Sequence, residues 1–462
     1  MVCSHLHEDI LMKQAWQIQS GNRSGFGIMV LLILYNTVLS VGLLLALPAV
    51  LPLVITSHKR RSTVRQRLGC WRYPWQSWHL GTTRVKIWVH ALSVGEVTAA
   101  QPLVEMVKDR HPELKIVLTV STLTGYQTAS RLFADSQIDV AYFPYDLIWS
   151  VRTIADKIDA RAVILVETDI WPNFMAEMKR RNVPVYLVNM RMSDSAWKSY
   201  RRFKRLAGKL FSAFNMICVQ TTHDARRLMA LGIAKERLCV TGNIKFDGVA
   251  KAGGGHAAAY WRKKLQLAST RRIVVAGSTH DGEELYLLDA FSFIKQEDRT
   301  VCLIIAPRDP NRAQNVLTLS ENKGLTAQRL SELLGGTLNH GPDVIVVDFI
   351  GALKELYSVS DVSFVGGSLV KEGGHNPLEP AIFGRPIIFG PDMRDFRQIA
   401  DWLLHAGGAR QVSDQKALTQ ALSQLLNDAK LAASTGERAR HVVLLHQGAV
   451  GRTLNCLELM SL

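Results

Sequence analysis

The residues whose types and spacing could do chemistry are densest between Val365 and Pro391, in the run VGGSLVKEGGHNPLEPAIFGRPIIFGP. An apolar run that ends at Val365 predicts a buried strand, and the glycines at 366–367 allow a sharp turn into a helix that carries Glu379. In an open α/β sheet such a loop lies at the carboxyl ends of the strands, where a helix N-terminus can hold an anion and a carboxylate can accept from a ribose hydroxyl. The run therefore indicates a nucleotide or phosphate site. The alternative is that the glycines serve tight turns only and that Glu379 is solvated.

Glu96 is the first carboxylate that could act as a general base. The apolar run VKIWVH predicts a strand that ends in HALSVGE (90–96), and helical periodicity begins at Val97. A carboxylate on a glycine-containing loop at the carboxyl end of a strand lies where a base would stand. Ser93 and Glu96 also have the S-x-x-E spacing of a capping box, in which the carboxylate bonds a backbone N–H at the helix start. Both interpretations stay open at this point.

Two further segments of the first half carry charged side chains beside predicted strands. In VETDIWPN (166–173), Glu167 and Asp169 follow a strand, where they could stabilise charge in a reaction or serve as helix caps. In GNIKFD (242–247), Lys245 follows the last strand of the first half. It could neutralise a phosphate or a carboxylate, although a lone lysine there is usually solvated.

Two loops of the second half could bind an anionic ligand. AGSTHDGEE (276–284) offers the donors Ser278, Thr279 and His280, and APRDPNR (306–312) places Arg308 at a strand end, where it could fork onto a phosphate. The sequence has no P-loop, no G-x-S-x-G elbow, no H-E-x-x-H and no G-x-G-x-x-G after the first strand. It also lacks a D-x-D pair of the kind that holds a metal under a nucleotide diphosphate. We therefore expect a metal-independent transfer that needs no cofactor.

The elements that must position these residues alternate between strand and helix. Short apolar runs separated by helical periodicity predict parallel sheets covered on both faces. A glycine- and alanine-rich stretch, KAGGGHAAAY (251–260), divides the pattern into two series and suits an inter-domain connection. The predicted fold class is α/β with two doubly wound, Rossmann-like domains. The predicted strands are 85–90, 114–120, 140–146, 162–167, 184–189, 216–220 and 238–242 in the first domain, and 273–277, 301–307, 343–348, 361–367 and 385–390 in the second.

An uncharged run from Phe26 to Ile55 precedes the first domain. It exceeds the roughly 20 residues that a helix needs to cross the hydrocarbon core, and it is too long for a cleaved signal peptide. Six basic residues follow the run by position 72, against two, Lys13 and Arg23, in front of it. The positive-inside rule then predicts a single-pass transmembrane helix, with everything after Thr56 in the cytoplasm.

Composition narrows the partners of the chain. Aromatic residues 71–78 are mixed with arginines after the anchor, which suits the headgroup layer of a membrane, although they could instead pack on the first domain. The formal net charge of +15 over 462 residues points to nucleic acid, an anionic lipid surface or a phosphorylated substrate. Six scattered cysteines without metal-site spacing predict no disulfide framework and no structural zinc.

Seven motifs taken together resemble one family, the 3-deoxy-D-manno-octulosonic acid (Kdo) transferases. The resemblance implies a GT-B fold, in which two Rossmann-like domains face one another across a cleft. It implies transfer of Kdo from CMP-Kdo to a lipid A precursor (lipid IVA) in lipopolysaccharide inner-core biosynthesis, at the cytoplasmic face of the inner membrane. The motifs, in order and with similar spacing over roughly residues 28 to 455, are HALSVGE, PYD (144–146), VETDIWPN, GNIKFD, GSTHDGEE, APRDPNR and the run 365–391.

The resemblance also implies roles for single residues. Glu96 matches the catalytic base, and Glu167 and Lys245 match residues that stabilise the transition state. The chain departs from the family's pattern at Asp169, where glutamate is common, and at Ala352, where an acidic residue is frequent. The implied CMP contacts are Pro307, Arg308, Phe349, Ile350, Gly351, Asn376, Pro377, Leu378 and Glu379, and further candidate donor contacts are Ser278, Thr279, Gly367 and Ser368.

Six segments are predicted along the chain, and the partners expected for them are CMP-Kdo, a lipid A precursor and inner-membrane lipids. The segments are a polar extension (1–25), a transmembrane anchor (26–56), a basic and aromatic membrane-proximal segment (57–80), an acceptor domain (81–248), a CMP-Kdo-binding domain (249–435) and a C-terminal helix that returns toward the first domain (436–462).

Two alternative functions stay open. The glycine loop and Glu379 alone would also suit a GT-B transferase or epimerase that uses another nucleotide sugar. A membrane-tethered nucleic-acid-binding protein would explain the positive charge. Against the second alternative, the basic residues form no long stripe with interleaved aromatics over the α/β body, and no nucleic-acid-binding motif is present. We therefore expect no nucleic acid among the partners.

Overall fold

The structure is a computed structural model of the chain, and it describes residues 30–70, 85–136, 138–167, 170–250, 256–268, 270–336 and 341–457. The predicted polar extension, the aromatic residues 71–78, Asp169 and residues 251–255 of the inter-domain stretch lie outside the described residues. The chain divides into two compact units. The first comprises the residues up to Asn243 together with those from Val450, and the second is Ile244–Ala449.

The first described element is a long apolar helix, α1 (Val30–Ile55), which is long and apolar enough to cross a membrane by length and composition. Every residue from 41 to 53 is exposed, as expected for a helix whose surface is apolar all round. A short basic helix, α2 (His58–Arg67), follows, and Ser57 caps it by accepting from the N–H of Arg60.

The sheet of the first unit has seven strands, and all of its neighbouring strands pair in parallel. The strands are β1 (Lys86–His90), β2 (Lys115–Val120), β3 (Ile138–Tyr142), β4 (Ala162–Val166), β5 (Val185–Met190), β6 (Met216–Val219) and β7 (Leu238–Val240). Their order is β3-β2-β1-β4-β5-β6-β7. Every residue of β4 and β5 is buried, because helices cover both faces and the strands are continuously apolar.

Helices connect these strands. They are α3 (Val94–Arg110), α4 (Leu123–Leu132), α5 (Ile148–Ile158), α6 (Pro172–Arg180), α7 (Asp194–Arg202), α8 (Lys204–Phe211) and α9 (Thr222–Ala230), with a 3-10 turn at Lys235–Arg237. The hydroxyls of Thr122, Ser193 and Thr221 cap α4, α7 and α9 by accepting from an N–H in the first turn. Local side-chain chemistry therefore sets where these three helices begin.

The strand order of the first unit reverses between β1 and β4. Strands β1, β2 and β3 run outward to one edge, and the chain then returns to place β4 on the other side of β1. His90 lies opposite Thr119 of β2 and Leu165 of β4. The connections that leave β1 and β4 therefore diverge to opposite faces of the sheet, which opens a crevice at the carboxyl ends of these two strands.

The second unit contains another seven-stranded parallel sheet. Its strands are β8 (Ile273–Thr279), β9 (Cys302–Pro307), β10 (Ala327–Arg329), β11 (Val344–Val346), β12 (Val362–Val365), β13 (Ile387–Phe389) and β14 (Ala409–Gln411). The order is β10-β11-β9-β8-β12-β13-β14, so the reversal lies between β8 and β12. The predicted fold class, two doubly wound α/β domains, is confirmed.

The helices of the second unit cover this sheet on both faces. They are α10 (Asp247–Ala250), α11 (His256–Lys264), α12 (Glu283–Glu297), α13 (Ala313–Glu321), α14 (Leu330–Leu334), α15 (Leu353–Leu356), α16 (Leu378–Ala381), α17 (Arg397–His405), α18 (Gln415–Asn427) and α19 (Ala429–His446), with 3-10 turns at Ile244–Phe246, Pro310–Arg312, Tyr357–Val359 and Arg394–Phe396. One further helix, α20 (Ala449–Cys456), follows. Apart from its first residue, it belongs to the first unit.

One disulfide corrects the prediction from the cysteine spacing. Cys239 of β7 and Cys456 of α20 are bonded within the first unit. The two cysteines are 217 residues apart, so no local pattern could have paired them. Among the described residues, Cys70, Cys218 and Cys302 are free thiols.

Glu177 of α6 gives a testable prediction about stability. Its carboxylate is 5% exposed and accepts from Arg180, Arg181 and Arg152. The hydrogen bonds from Arg180, followed by those from Arg181, lower the pKa of Glu177 to about 2 against the opposing effect of burial. Because the folded-state pKa lies below the unfolded value of about 4.3, the stabilisation is complete above that value and is lost as the pH falls toward 2.

We expect Glu177→Gln to lower the thermal unfolding midpoint of the detergent-solubilised protein at pH 7, and the difference from wild type to narrow between pH 5 and pH 3. Glu236→Gln, at an exposed position of the same unit, is the matched control and should leave the midpoint unchanged. A difference that stays constant with pH would show that the lost carboxylate charge is not its cause.

Candidate functional site

Glu96 lies on the first turn of α3, directly after the loop that follows β1. The N–H of Leu92 donates to Glu96 Oε2 at 2.6 Å, and the Ser93 hydroxyl donates to Oε1 at 3.5 Å. Ser93 makes no side-chain bond to the N–H groups of α3, so the reciprocal bond of a capping box is missing. The carboxylate is oriented by these two donors while its side chain remains partly exposed. It can therefore meet a ligand in a fixed position.

The loop that carries these donors is fixed by the ends of two strands. The N–H of Ala91 donates to Thr119 O at 3.0 Å, and Leu92 O accepts from Ser121 and Thr122. Gly125 of α4 permits this packing, because a Cβ there would lie 2.7 Å from Thr122 Oγ1 and 3.5 Å from the Ser93 carbonyl carbon. The position of Glu96 is thus set by backbone bonds across β1 and β2.

Glu167 follows β4, the other strand at the reversal. Its backbone φ is 69°, in the left-handed region that non-glycine residues seldom adopt. Its N–H donates to Val188 O of β5 at 2.8 Å, which holds the turn. Because β1 and β4 are neighbours in the sheet, Glu96 and Glu167 belong to loops at the same carboxyl edge. Strain of this kind clusters at functional sites, and here it accompanies a predicted catalytic residue.

Lys245 lies in the second unit, on the 3-10 turn that opens it. Its Nζ is 5.5 Å from the centroid of the Phe396 ring. An aromatic face attracts an ammonium group and so restricts the positions that the Lys245 side chain adopts. The structure thus places Glu96 and Glu167 in one unit and Lys245 in the other.

The predicted donor contacts of the second unit follow four adjacent strands. These strands, in the order β11-β9-β8-β12, bring their carboxyl ends to one edge of the sheet. Phe349 and Ile350 are exposed there, at 37% and 66% of their surface. The other residues concerned are Gly351 in the same loop, Ser278 and Thr279 at the end of β8, Pro307 and Arg308 at the end of β9, and Gly367, Ser368, Asn376, Pro377, Leu378 and Glu379 after β12.

One buried carboxylate holds the glycine loop after β12. Glu283, on the first turn of α12, has no exposed surface. Its Oε1 accepts from the N–H groups of Ser368 and Leu369, both at 2.9 Å. Its Oε2 accepts from Gly367 at 2.7 Å and from His280 at 3.0 Å. A carboxylate that receives four backbone N–H groups ties this loop to the end of β8 across the point of reversal.

Ser368 is committed to the same loop. Its hydroxyl donates to Val365 O at 2.5 Å and accepts from the N–H of Gly390 at 2.8 Å. Together with the bonds to Glu283, these contacts show what Gly367 and Ser368 do in the structure: they shape the loop. Their contact with a donor stays a prediction.

A pair of histidines lies beside this loop. His280 Nε2 and His375 Nε2 are 2.8 Å apart, so one ring donates to the other, and the rings lie end to end in nearly parallel planes with their centroids 5.1 Å apart. Burial, and then the positive charge of Arg308 and the His280 ring, lower the pKa of His375 to about 4. His375 is therefore neutral at pH 7.

Glu379 is close to the same positive charge. The side-chain amide of Asn376 donates to Glu379 Oε1 at 3.5 Å, and Asn376 Oδ1 accepts from the N–H of Leu378 at 3.1 Å. Burial raises the pKa of Glu379, whereas Lys354, Asn376 and Arg308 act to lower it. The result is a carboxylate, an amide and a guanidinium grouped at one strand edge, the set of groups that suits a ribose and a phosphate.

Comparison with known proteins settles the family. Residues 62–248 match the family model described as 3-deoxy-D-manno-octulosonic-acid transferase (kdotransferase). A 3-deoxy-D-manno-octulosonic acid transferase of Haemophilus influenzae is 33% identical over 80% of this chain and 86% of its own length. The chain belongs to the Kdo transferase family. A transferase of the same name from Bordetella pertussis is 31% identical over 80% of this chain and 86% of its own.

The fold of this Kdo transferase family member is shared more widely. The UDP-GlcNAc 2-epimerase of Neisseria meningitidis, solved with UDP-GlcNAc bound, matches 80% of this chain and all of the epimerase chain with a TM-score of 0.54 at 12% identity. A glycosyltransferase of Rickettsia africae matches 81% of this chain and 97% of its own with a TM-score of 0.53 at 13% identity. These likenesses confirm the predicted GT-B fold and carry no information on the substrate.

The sequence alone did not single out the side chains that hold the loops at the carboxyl ends of β8 and β12. Glu283 and His375 lie within quoted motifs, but neither was singled out. The sequence signal for Glu283 was the acidic pair after a strand-to-helix loop, which is also the commonest pattern of a helix start. Only the fold shows that this carboxylate is buried and reaches a loop 84 residues further along the chain.

Glu283→Gln should destabilise the second unit. An amide offers one acceptor oxygen where the carboxylate offers two, and its NH2 group would face two backbone donors. We expect a loss of about 2–4 kcal/mol in unfolding free energy, seen as a lower thermal midpoint. Glu297→Gln, on the exposed end of the same helix, is the control. An unchanged midpoint for Glu283→Gln would show that this carboxylate does not stabilise the glycine loop.

Proposed function

We propose that this chain is an inverting glycosyltransferase that moves Kdo from CMP-Kdo to a lipid A precursor, lipid IVA, in lipopolysaccharide inner-core biosynthesis. Membership of the family supports the transfer of Kdo. The structural observation that carries the proposal is Glu96, a carboxylate held by Leu92 and Ser93 at the reversal of strand order in the first unit. A base in this position suits the activation of an acceptor hydroxyl.

The proposed reaction needs one proton acceptor and groups that offset charge. Glu96 takes the proton from the acceptor hydroxyl as that oxygen bonds to the anomeric carbon of Kdo. The bond from this carbon to the phosphate breaks on the opposite face, and CMP leaves with the bonding electrons, so the configuration inverts. The anomeric carbon carries a carboxylate and becomes oxocarbenium-like. Glu167 and Lys245 stabilise the charge that develops in this transition state.

The second unit binds the CMP part of the donor in this proposal. Arg308 pairs with the phosphate, because it follows β9 at the same carboxyl edge of the sheet as Glu379. Glu379 accepts from the ribose hydroxyls. The remaining contacts are those assigned above: Pro307, Phe349, Ile350, Gly351, Asn376, Pro377 and Leu378, with Ser278 and Thr279 nearby. A monophosphate leaving group needs less neutralisation than a diphosphate, so we propose that transfer is metal-independent and uses no cofactor.

We further propose that the protein works at the cytoplasmic face of the inner membrane. An acceptor with acyl chains resides in a bilayer, and α1 offers an apolar surface to the same bilayer. The basic residues Arg60, Arg61 and Arg65 are exposed on α2, where they suit anionic headgroups. The single crossing predicted from the charge bias stays a prediction.

The first test is a transfer assay with freshly generated CMP-Kdo and tetraacylated lipid IVA, with products resolved by mass spectrometry. Wild-type protein should add one or more Kdo units, and Glu96→Gln should reduce the rate by 10³-fold or more while CMP binding is kept, a large effect expected of a general base. Glu105→Gln, on the same helix, is the control. Full activity in Glu96→Gln would assign Glu96 to the helix start alone.

The second test concerns the donor. Arg308→Ala should weaken CMP binding about tenfold or more by calorimetry, since a charge-assisted hydrogen bond contributes about 1.5–3 kcal/mol. Arg299→Ala changes an exposed arginine that precedes β9, at the opposite edge of the sheet, and should bind CMP as wild type does. Thermal protection by UDP in place of CMP would favour an enzyme of another nucleotide sugar.

A further inference from the structure

The amino end of α1 is bonded to the first unit through polar groups. The Tyr35 hydroxyl donates to Asp146 Oδ2 at 2.9 Å. The side-chain amides of Asn36 and Asn173 donate to each other, both at 2.8 Å. Asn36 also donates to Leu32 O within α1 at 2.8 Å, whereas the partners of the Tyr35 hydroxyl and of the Asn36 side-chain oxygen come from the rest of the unit.

The partners of Tyr35 and Asn36 form a built site. Asp146 also accepts from the N–H groups of Asn173 at 3.0 Å and Phe174 at 2.8 Å, which open α6. Asp146 and Asn173 are 7% and 5% exposed. Burial raises the pKa of Asp146, against the lowering effect of these donors. The amino end of α1 therefore completes a buried polar network of the unit, which a surface contact by chance would not do.

The segment that follows α1 returns to the same place. Arg67, the last residue of α2, donates from Nε to Phe143 O at 3.0 Å, and its guanidinium lies 4.0 Å from the centroid of the Tyr145 ring. Arg67 O accepts from the N–H of Tyr145 at 3.2 Å. Tyr35 and Arg67 therefore bind adjacent residues of one loop, 145 and 146, although 32 positions of chain separate them.

This arrangement is incompatible with a helix that crosses the bilayer. From residue 36 to residue 55, α1 rises about 30 Å, close to the thickness of the hydrocarbon core. If this stretch crossed the bilayer, Tyr35 and Arg67 would lie on opposite sides. A loop of a water-exposed α/β unit cannot reach both sides. Either orientation of a crossing helix breaks one of the two attachments.

We propose that α1 enters and leaves the membrane on the same side, and that it lies within the cytoplasmic leaflet as an in-plane anchor. The proposal rests on the membrane association proposed above and revises the predicted single crossing. With side chains, a helix is about 10–12 Å wide, and one leaflet contributes about 15 Å of hydrocarbon, so an apolar helix can be immersed without spanning. Leu44 and Leu45, at 69% and 78% exposed, are among the side chains that would meet lipid.

A cavity between α1 and the unit fits this placement. It has a volume of about 860 Å³. Apolar side chains of α1, among them Leu31, Leu34 and Val38, line one wall, and Met175 of α6 and Leu210 of α8 line the other. Most of the lining is apolar, and Lys179, Lys209 and Arg237 add basic groups that suit anionic headgroups. Acyl chains of the same leaflet would occupy it.

Two native cysteines test the topology in the full chain. Cys3 precedes α1, and Cys70 follows α2 and is exposed. The protein in membrane vesicles of either orientation is treated with a membrane-impermeant maleimide, and peptides are read by mass spectrometry. We expect Cys3 and Cys70 to react together in inverted vesicles and to be protected together in right-side-out vesicles. Labelling of Cys3 from the side opposite to Cys70 would overturn the proposal.

A second measurement keeps the proposal testable if Cys3 fails to react even in detergent. The variant Asn36→Cys with Asn173→Cys, in membranes, should form an intramolecular cross-link with a short bis-maleimide. The control pair is Leu45→Cys with Asn173→Cys, since residue 45 lies further along the exposed part of α1. A link at 36 that is no more frequent than at 45 would overturn the proposal. Recovery of wild-type protein in the soluble fraction after a salt wash would instead show that the protein is not anchored in the membrane.

Discussion

The constraint on which both units depend is the reversal of strand order beside the first strand of each sheet. In a parallel sheet every strand needs a crossover, and crossovers of one hand place successive helices on one face until the order reverses. At that point two adjacent connections leave on opposite faces and expose the strand ends between them. The reversal lies between β1 and β4 in the first unit and between β8 and β12 in the second. Glu96 and Glu167 follow the two strands at the first reversal, and Glu283 joins the loops after β8 and β12 at the second.

The two units use the same opening in different ways. In the first, backbone bonds fix a short loop so that one partly exposed carboxylate, Glu96, is held by its neighbours Leu92 and Ser93. In the second, the fully buried carboxylate of Glu283 accepts hydrogen bonds from four backbone N–H groups and so fixes the conformation of the glycine loop. Exposure therefore separates the two carboxylates: Glu96 is partly exposed and can meet a ligand, whereas Glu283 is enclosed and bonded to the backbone of the loop.

The sequence predicts most of the fold because its signals are local. Continuous apolar strands and helical periodicity are read within about ten residues, and the glycine at 367, with φ of 67°, marks a turn that few other residues could make. Long-range contacts have no such signal. The Cys239–Cys456 bond, the hydrogen bonds of Glu283 to residues 367–369 and the hydrogen bond between His280 and His375 each join residues far apart in sequence. Spacing alone also could not decide whether Glu96 and Glu167 cap helices or take part in catalysis.

The anchor shows how an apolar pattern can predict a helix and still leave its topology undecided. Hydropathy predicts that a helix enters lipid, and the flanking charges predict on which side of the membrane one end of it lies. Neither signal predicts which residues the other end of the helix contacts. Here Asn173, which pairs with Asn36, lies in the first turn of α6, only six positions after Glu167. The attachment of α1 and the turn at Glu167 therefore belong to one connection at the carboxyl edge of the first sheet. If α1 lies in the leaflet as proposed, its attachment at this edge keeps the edge close to the membrane, where the proposed base Glu96 would meet the proposed acylated acceptor.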